Sequence, residues 1–307
     1  MQEISMSEQV AHRISRRRLT LWFWGILFTL PGVLGLVMFT AYPILASFYY
    51  SFTSYTMIGR WRWIGLMNYE RLFKEDPEFY NVLFNTVYLV GFGVPLGISV
   101  AFLLAVLLNQ RVRGLAVYRT LFYLPSILPS VASAMLWTWI YHPTNGVFNA
   151  LLQYLGIVGP NWLGDPAWAK PSLILMNLWG AGGFMLIFLA GLQDVPQELY
   201  DAAMVDGAGR WAKFRHITIP FMSPYLFFAL VTGLIHGFQY FAPVYIMTGG
   251  DPVRSTAVYV YYIWENGFFF LRMGYASALA WILFVIIALC TIAIFGSVSR
   301  RVYYGGR

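Results

Sequence analysis

One segment concentrates most of the unusual chemistry in this chain. Within residues 194–222, Asp201-Ala202-Ala203 is followed after three residues by Gly207, and after nine more by Ile217-Thr218-Ile219-Pro220. Asp194 can cap a helix, with Gln197 three residues on. Pro196 suits its first turn. Glu198 and Asp201 fall where the helix dipole favours acids, and Gly207 is a good C-terminal stop. A second short helix is predicted from about 209 to 216. Trp211, Phe214 and Ile217 share one apolar face of it, Arg210, Lys213 and Arg215 lie elsewhere, and Pro220 blocks continuation. Ala202 and Ala203 have side chains small enough to let another backbone come close. The chemistry on offer is recognition. The segment is either a compact hairpin with a small-residue surface, or a helix lying at the lipid headgroups.

Reactive side chains are scarce elsewhere. The one cysteine, Cys290, lies in an apolar run and reads as a small hydrophobe, so an internal disulfide and a cysteine-based metal site are excluded. His12 and His142 are isolated in a tail and a loop. No nucleophile–base pair, acidic pair or metal cluster falls in an apolar stretch, which leaves a membrane enzyme without support. The three lysines, Lys74, Lys170 and Lys213, do not follow the glycine pattern of a phosphate-binding loop. The chain therefore carries no phosphate-loop signature for ATP hydrolysis of its own.

The elements that carry these residues are set by charge gaps. Of 307 residues, 59% are hydrophobic and only 11% charged, against about 45–50% and about 25% in soluble domains. This excludes a soluble enzyme, a disordered chain and a nucleic-acid-binding protein. No Asp, Glu, Lys or Arg occurs in 19–59, 79–110, 120–164, 171–193, 216–250 or 273–299. Each gap holds the roughly 20 apolar residues that a bilayer-crossing helix needs. The predicted spans are 21–49, 83–109, 119–141, 171–193, 223–247 and 275–298. The fold class is therefore an all-α membrane protein with six transmembrane helices. It has a tail, 1–18, and one transmembrane domain, 19–307. The runs do not alternate, so a closed barrel is excluded. The first apolar stretch is too long for a cleaved signal peptide. Thirteen Lys and Arg fall on one side and seven on the other. The richer side holds Arg13, Arg16, Arg17, Arg18, Arg111, Arg113, Arg119, the 210–215 bases, Arg300, Arg301 and Arg307. The positive-inside rule then puts both termini and the 194–222 segment in the cytoplasm.

Ion- and proton-coupled carriers keep ionisable groups inside their helices. These spans hold no acid, and His236 is their one exception. A channel or secondary carrier acting alone remains an alternative; uphill transport would need energy from a partner. Helix breakers are frequent: Pro31, Pro43, Pro95, Pro125, Pro129, Pro224, Pro243 and the Gly180–Gly183 patch. Gly93-x-x-x-Gly97 offers close helix packing.

The 194–222 spacing resembles the signature of permease subunits in binding-protein-dependent ABC importers: Glu-Ala-Ala, three residues, Gly, nine residues, Ile-x-Leu-Pro. Asp201 stands for Glu and Ile219 for Leu; every spacing matches. Tyr42-Pro43-Ile44, Asn68-Tyr69, Phe84-Asn85-Thr86, Tyr118 to Pro125 and Thr248-Gly249-Gly250-Asp251-Pro252 are similar to the carbohydrate branch, the maltose and glycerol-3-phosphate type. The last of these resembles the first of the two permeases in such systems. The large external insertion of some relatives is absent.

The resemblance implies a coupling helix between spans four and five, docked in a cleft of an ATPase subunit. Glu198, Asp201, Ala202, Ala203, Gly207, Ile217 and Pro220 would belong to that contact. It implies a second permease, two ATP-binding subunits carrying ATP and Mg, and an extracellular or periplasmic sugar-binding protein. This chain would bind no cofactor, metal or nucleic acid, and would lie in a bacterial or archaeal cytoplasmic membrane as a multi-pass protein surrounded by lipid. A sugar path needs aromatic platforms and neutral hydrogen-bonding groups. The candidates are Ser130, Ser133, Asn177, Trp179, His236, Gln239 and Tyr240. For each alone, interhelical hydrogen bonding or interface packing is the more ordinary account.

Overall fold

The computed structural model describes residues 2–59, 61–110, 113–299 and 302–303; side chains of 2–17 and 19 are left aside. Arg60, Arg111, Arg300, Arg301 and Arg307 lie outside the described residues, as do the side chains of Arg13, Arg16 and Arg17. The described residues are mostly helical. Among the described residues no strand occurs, only an isolated antiparallel bridge between Thr53 and Trp63.

In chain order the helices are α1 (Gln2–Leu36), α2 (Tyr42–Ser51), α3 (Met67–Lys74), α4 (Pro77–Leu108), α5 (Leu115–Ile127), α6 (Ser130–Ile140) and α7 (Val147–Tyr154). They continue as α8 (Pro166–Trp179), α9 (Gly182–Gln193), α10 (Gln197–Val205), α11 (Arg210–Lys213), α12 (Ile219–Phe238), α13 (Tyr259–Trp264) and α14 (Met273–Val298). Short π-turns occupy Val37–Ala41, Phe214–Thr218, Val244–Thr248 and Glu265–Phe269.

Four continuous helices are long and apolar enough to cross a bilayer: Thr20–Ser51, Pro77–Leu108, Arg210–Phe238 and Met273–Val298. Two further stretches are bent pairs, α5–α6 at 101° and α8–α9 at 46°. Counting each pair as one crossing gives six.

The breaks are where the structure departs from the predicted spans. The 119–141 stretch is two helices. Leu128 is extended (ψ 138°) because it precedes Pro129, and a residue before proline is pushed away from the helical region. The fourth span starts earlier, at Pro166, since Asp165 caps it by accepting from the Ala167 amide at 2.9 Å. The fifth span also starts earlier. Pro220 does not stop the helix: α11 runs through the π-turn Phe214–Thr218 into α12, and the Ile219 amide donates to the Phe214 carbonyl. A proline ring clashes with the carbonyl four residues back in a regular helix; the wider turn before Pro220 gives it room.

Two buried clusters hold the bundle. One gathers Leu72, Val82, Tyr141, Leu173, Tyr259, Tyr275 and Leu279 around the first half of α4. The other gathers Ala101, Phe102, Met185, Phe188 and Met222 around its second half. Gly182 is required where α9 meets α5, because a Cβ there would strike the Phe122 carbonyl. The Gly93/Gly97 pair does not mediate close packing. A Cβ at Gly93 would meet only Ile174 at 3.9 Å, and one at Gly97 nothing. The close approach of α4 and α12 is at Gly233 and Gly237 instead, each against Val94.

Candidate functional site

A cavity of about 510 Å³ opens where three helices break. The α5–α6 bend contributes Pro125, Ser126, Leu128, Ser130 and Ser133. The end of α8 contributes Met176, Asn177, Trp179 and Gly180, and the end of α12 with its following segment contributes His236, Gln239, Tyr240, Phe241, Ala242 and Pro243. Kinked backbone cannot pack as a cylinder, and at membrane depth it is tolerated where it lines a cavity. Ser130, Ser133, Asn177, Trp179, His236, Gln239 and Tyr240, singled out from sequence, all line this cavity. Ser126 and Phe241 carry no sequence signal that could have found them, and Pro129 marks the break of α5–α6 without giving its 101° angle.

The lining holds no Asp, Glu, Lys or Arg. Trp179 is braced edge-on by Trp137 at 5.8 Å. Among the described residues, the His236 and Gln239 side chains make no hydrogen bond, so their polar atoms are available to a guest. A smaller cavity of about 220 Å³ lies behind, sharing Asn177, Gly180, His236 and Tyr240 as a common wall. Three neutral hydrogen-bonding types and exposed aromatic faces around one space suit an uncharged polyhydroxylated guest.

The hairpin lies near the C-terminal half of α4. Asp194 does not cap α10. It ends α9, and its carboxylate accepts from the Tyr225 hydroxyl at 2.5 Å. Gly207 does end α10, with φ +76°; the Ala208 amide donates to Ala203 and the Gly207 amide to Met204, the bonding of a Schellman cap. Glu198, Asp201 and Ala202 are exposed and Ala203 is half-buried. Ile217 and Pro220 are half-buried at the start of the following rod. Trp211 stacks on Phe214 at 5.6 Å, and Phe214 on Phe102 of α4 at 6.0 Å. The Tyr200 hydroxyl meets the Thr218 hydroxyl at 2.9 Å. Val205 is 89% and Trp211 70% exposed.

The other end of α4 is a polar cluster. Asp76 caps α4 through the Glu78 and Phe79 amides. Its second oxygen accepts from the Tyr262 hydroxyl at 2.6 Å and from that of Tyr275. Burial, then the Asp76 bond, push the Tyr262 hydroxyl pKa up. Arg254 donates to Glu78 at 2.9 Å and to both Glu265 oxygens at 2.8 and 2.9 Å. Burial opposes the Arg254 charge, but the Glu265 and Glu78 bonds outweigh it and hold the guanidinium protonated. Asn85 donates to the Arg254 and Ala257 carbonyls, each at 3.0 Å, and Thr86 accepts from the Tyr259 amide at 2.8 Å. The Phe84-Asn85-Thr86 stretch thus meets the 254–259 segment that follows the Thr248–Pro252 stretch.

Broken membrane helices around a charge-free cavity are the build of a permease. The family model for binding-protein-dependent transport system inner membrane components matches residues 93–304. A probable ABC transporter permease protein, YesP of Bacillus subtilis, is 42% identical, covering 91% of this chain and 92% of that protein. The trehalose/maltose transport system permease protein MalF of Thermococcus litoralis is 35% identical over 76% of this chain and 79% of its own. In a crystal structure of a bacterial alginate ABC transporter with its alginate pentasaccharide-bound periplasmic protein, one chain superposes with a TM-score of 0.83. The two are 24% identical, over 95% of this chain and 99% of that one. The chain belongs to the family of inner membrane components of binding-protein-dependent transport systems.

Proposed function

We propose that this chain is one of two permease subunits of an ATP-driven sugar importer, that the cavity is its part of the sugar path, and that the 194–220 loop docks on an ATPase subunit through α10. The observation that carries the sugar reading is the convergence of seven neutral polar and aromatic residues on one cavity without a charged wall. Sugar hydroxyls exchange hydrogen bonds with Ser130, Ser133, Asn177, His236 and Gln239, while Trp179 and Tyr240 offer ring faces to the apolar side of a pyranose. Such contacts are favourable enough to admit a sugar and weak enough to release it. Relatives such as the trehalose/maltose transport system permease protein support the same substrate class.

The docking reading is supported by exposed apolar side chains on the hairpin and by half-buried Ala203, whose small size lets a partner seat against α10. It sets both termini in the cytoplasm of a bacterial or archaeal cell and leaves ATP and Mg to the partner subunits. ATP-driven closure of those subunits would move the hairpin, and loaded binding protein outside would favour the closed state.

The test is reconstitution in vesicles with the second permease, the ATPase subunits and the sugar-binding protein, offering radiolabelled maltose, trehalose and lactose. ATP-dependent uptake is expected. Ala203→Trp should abolish it by overpacking the contact, with membrane insertion unchanged. Uptake against a gradient by this chain alone would instead make it a secondary carrier.

A further inference from the structure

α10 is almost free of the bundle. The chain enters it through extended Pro196 and leaves it on permissive backbone, Gly207 at φ +76° and Gly209, with open space around both glycines. It packs on no other helix beyond isolated contacts. Gln197 bonds only within the helix, to Asp201. Among the described residues, the Tyr200–Thr218 hydroxyl pair at 2.9 Å is the one side-chain hydrogen bond that leaves α10. Its far partner is not a loop residue. Thr218 is buried in the π-turn that joins α11 to α12. Arg210–Phe238 is one continuous helix, about 43 Å long at the usual rise. Its far end supplies His236 to the cavity wall, with Gln239 and Tyr240 just beyond. The end of α9, just before the hairpin, is fastened to the same rod by Tyr225 and Asp194.

We infer that the Tyr200–Thr218 bond is the mechanical link by which α10 drives the cavity-lining rod. Tyr200 and Thr218 are positioning residues that make α10 and α12 move as one body. This rests on the docking reading above. Without the bond, α10 swings on Pro196 and Gly207 while α12 stays behind. ATP is then hydrolysed without opening the path. Tyr225–Asp194 holds the end of α9 against the rod but does not replace the link, because it joins α12 to α9 rather than to α10.

The assembled transporter separates these ideas. Tyr200→Phe and Thr218→Val should keep both ATPase subunits bound and keep hydrolysis stimulated by loaded binding protein. Sugar moved per ATP, read with labelled maltose, trehalose and lactose in turn, should fall about fivefold, the worth of one hydroxyl bond. The double variant should fall no further than either single one, and Thr218→Ser should restore coupling. A second reading needs no sugar. Spin labels replacing Gln197 on α10 and Phe228 on α12, in a Cys290→Ala background, should keep one separation with and without ATP, Mg and vanadate. Tyr200→Phe should let that separation change with nucleotide. Wild-type coupling and an unchanged separation in Tyr200→Phe would overturn the link, as would loss of the ATPase subunits from that variant. Ala203→Trp distinguishes the parent reading. If it leaves uptake and ATPase binding intact, docking fails and the link with it. If it disrupts them while Tyr200→Phe behaves as wild type, the link alone fails.

Discussion

The two ends of α4 are built on opposite principles. At its N-terminus, Asp76, Arg254, Glu78, Glu265, Tyr262 and Tyr275 bond segments up to 199 residues apart in sequence. Charges are paired and the aromatic rings are buried. At its C-terminal half, the hairpin holds on by Phe214 and by two tyrosine hydroxyls, and turns Val205 and Trp211 outward. The first end is complete as one chain. The second leaves the large apolar side chains of Val205 and Trp211 uncovered by the rest of the chain, the kind of surface a partner or a lipid face covers. A helix with so few ties of its own is a poor element of stability and a good moving part.

The comparison predicts that variants at the hairpin change coupling at constant stability, and variants at the Asp76 end do the reverse. The largest effect is expected from Ala203→Trp: uptake is lost, while thermal unfolding of the isolated chain in detergent stays at the wild-type temperature. A lowered unfolding temperature would mean that α10 does bear on stability and would erase the contrast. Next comes Asp76→Ala. It removes a helix cap and strands two tyrosine hydroxyls, a loss of about 3 kcal/mol, read as an earlier unfolding transition. Sugar moved per ATP should be unchanged in the fraction that remains folded. Arg254→Ala strands Glu78 and Glu265. Its side chain is 31% exposed, so water softens the penalty to about 2 kcal/mol.

The sequence carried these regions unequally. The apolar runs were legible because a bilayer demands about 20 apolar residues whatever the packing. The hairpin was legible as a spacing, since Gly207 answers to local geometry: a left-handed residue must end α10. The bends were not. Proline marks a break at Leu128–Pro129 but does not fix 101°, which depends on what α6 packs against. Asp194 misled because its side chain chose Tyr225, 31 residues on, over the nearby amides of α10. Pro220 misled because a π-turn relaxes the clash that makes proline a stop. The cavity residues were legible one by one as neutral polar groups in apolar helices. Their convergence came from three breaks that no local pattern encodes.

The smallest effect sharpens the comparison most. Val205 is 89% exposed at the last turn of α10, so Val205→Ser removes no buried surface from this chain. Substitutions of that kind fall within about 0.5 kcal/mol of wild type, and the unfolding temperature should not move. In the assembled transporter the same side chain would meet the ATPase subunit, where burying a valine contributes about 1.5 kcal/mol or more. Affinity for that subunit should therefore drop about tenfold, read by titrating detergent-purified ATPase onto the permease pair. A pairing of unchanged stability with weakened assembly can arise only if the exposed face is covered by the partner. Unchanged affinity would mean that Val205 faces water in the complex too, and that the docking surface is confined to the Ala202–Ala203 side of the helix.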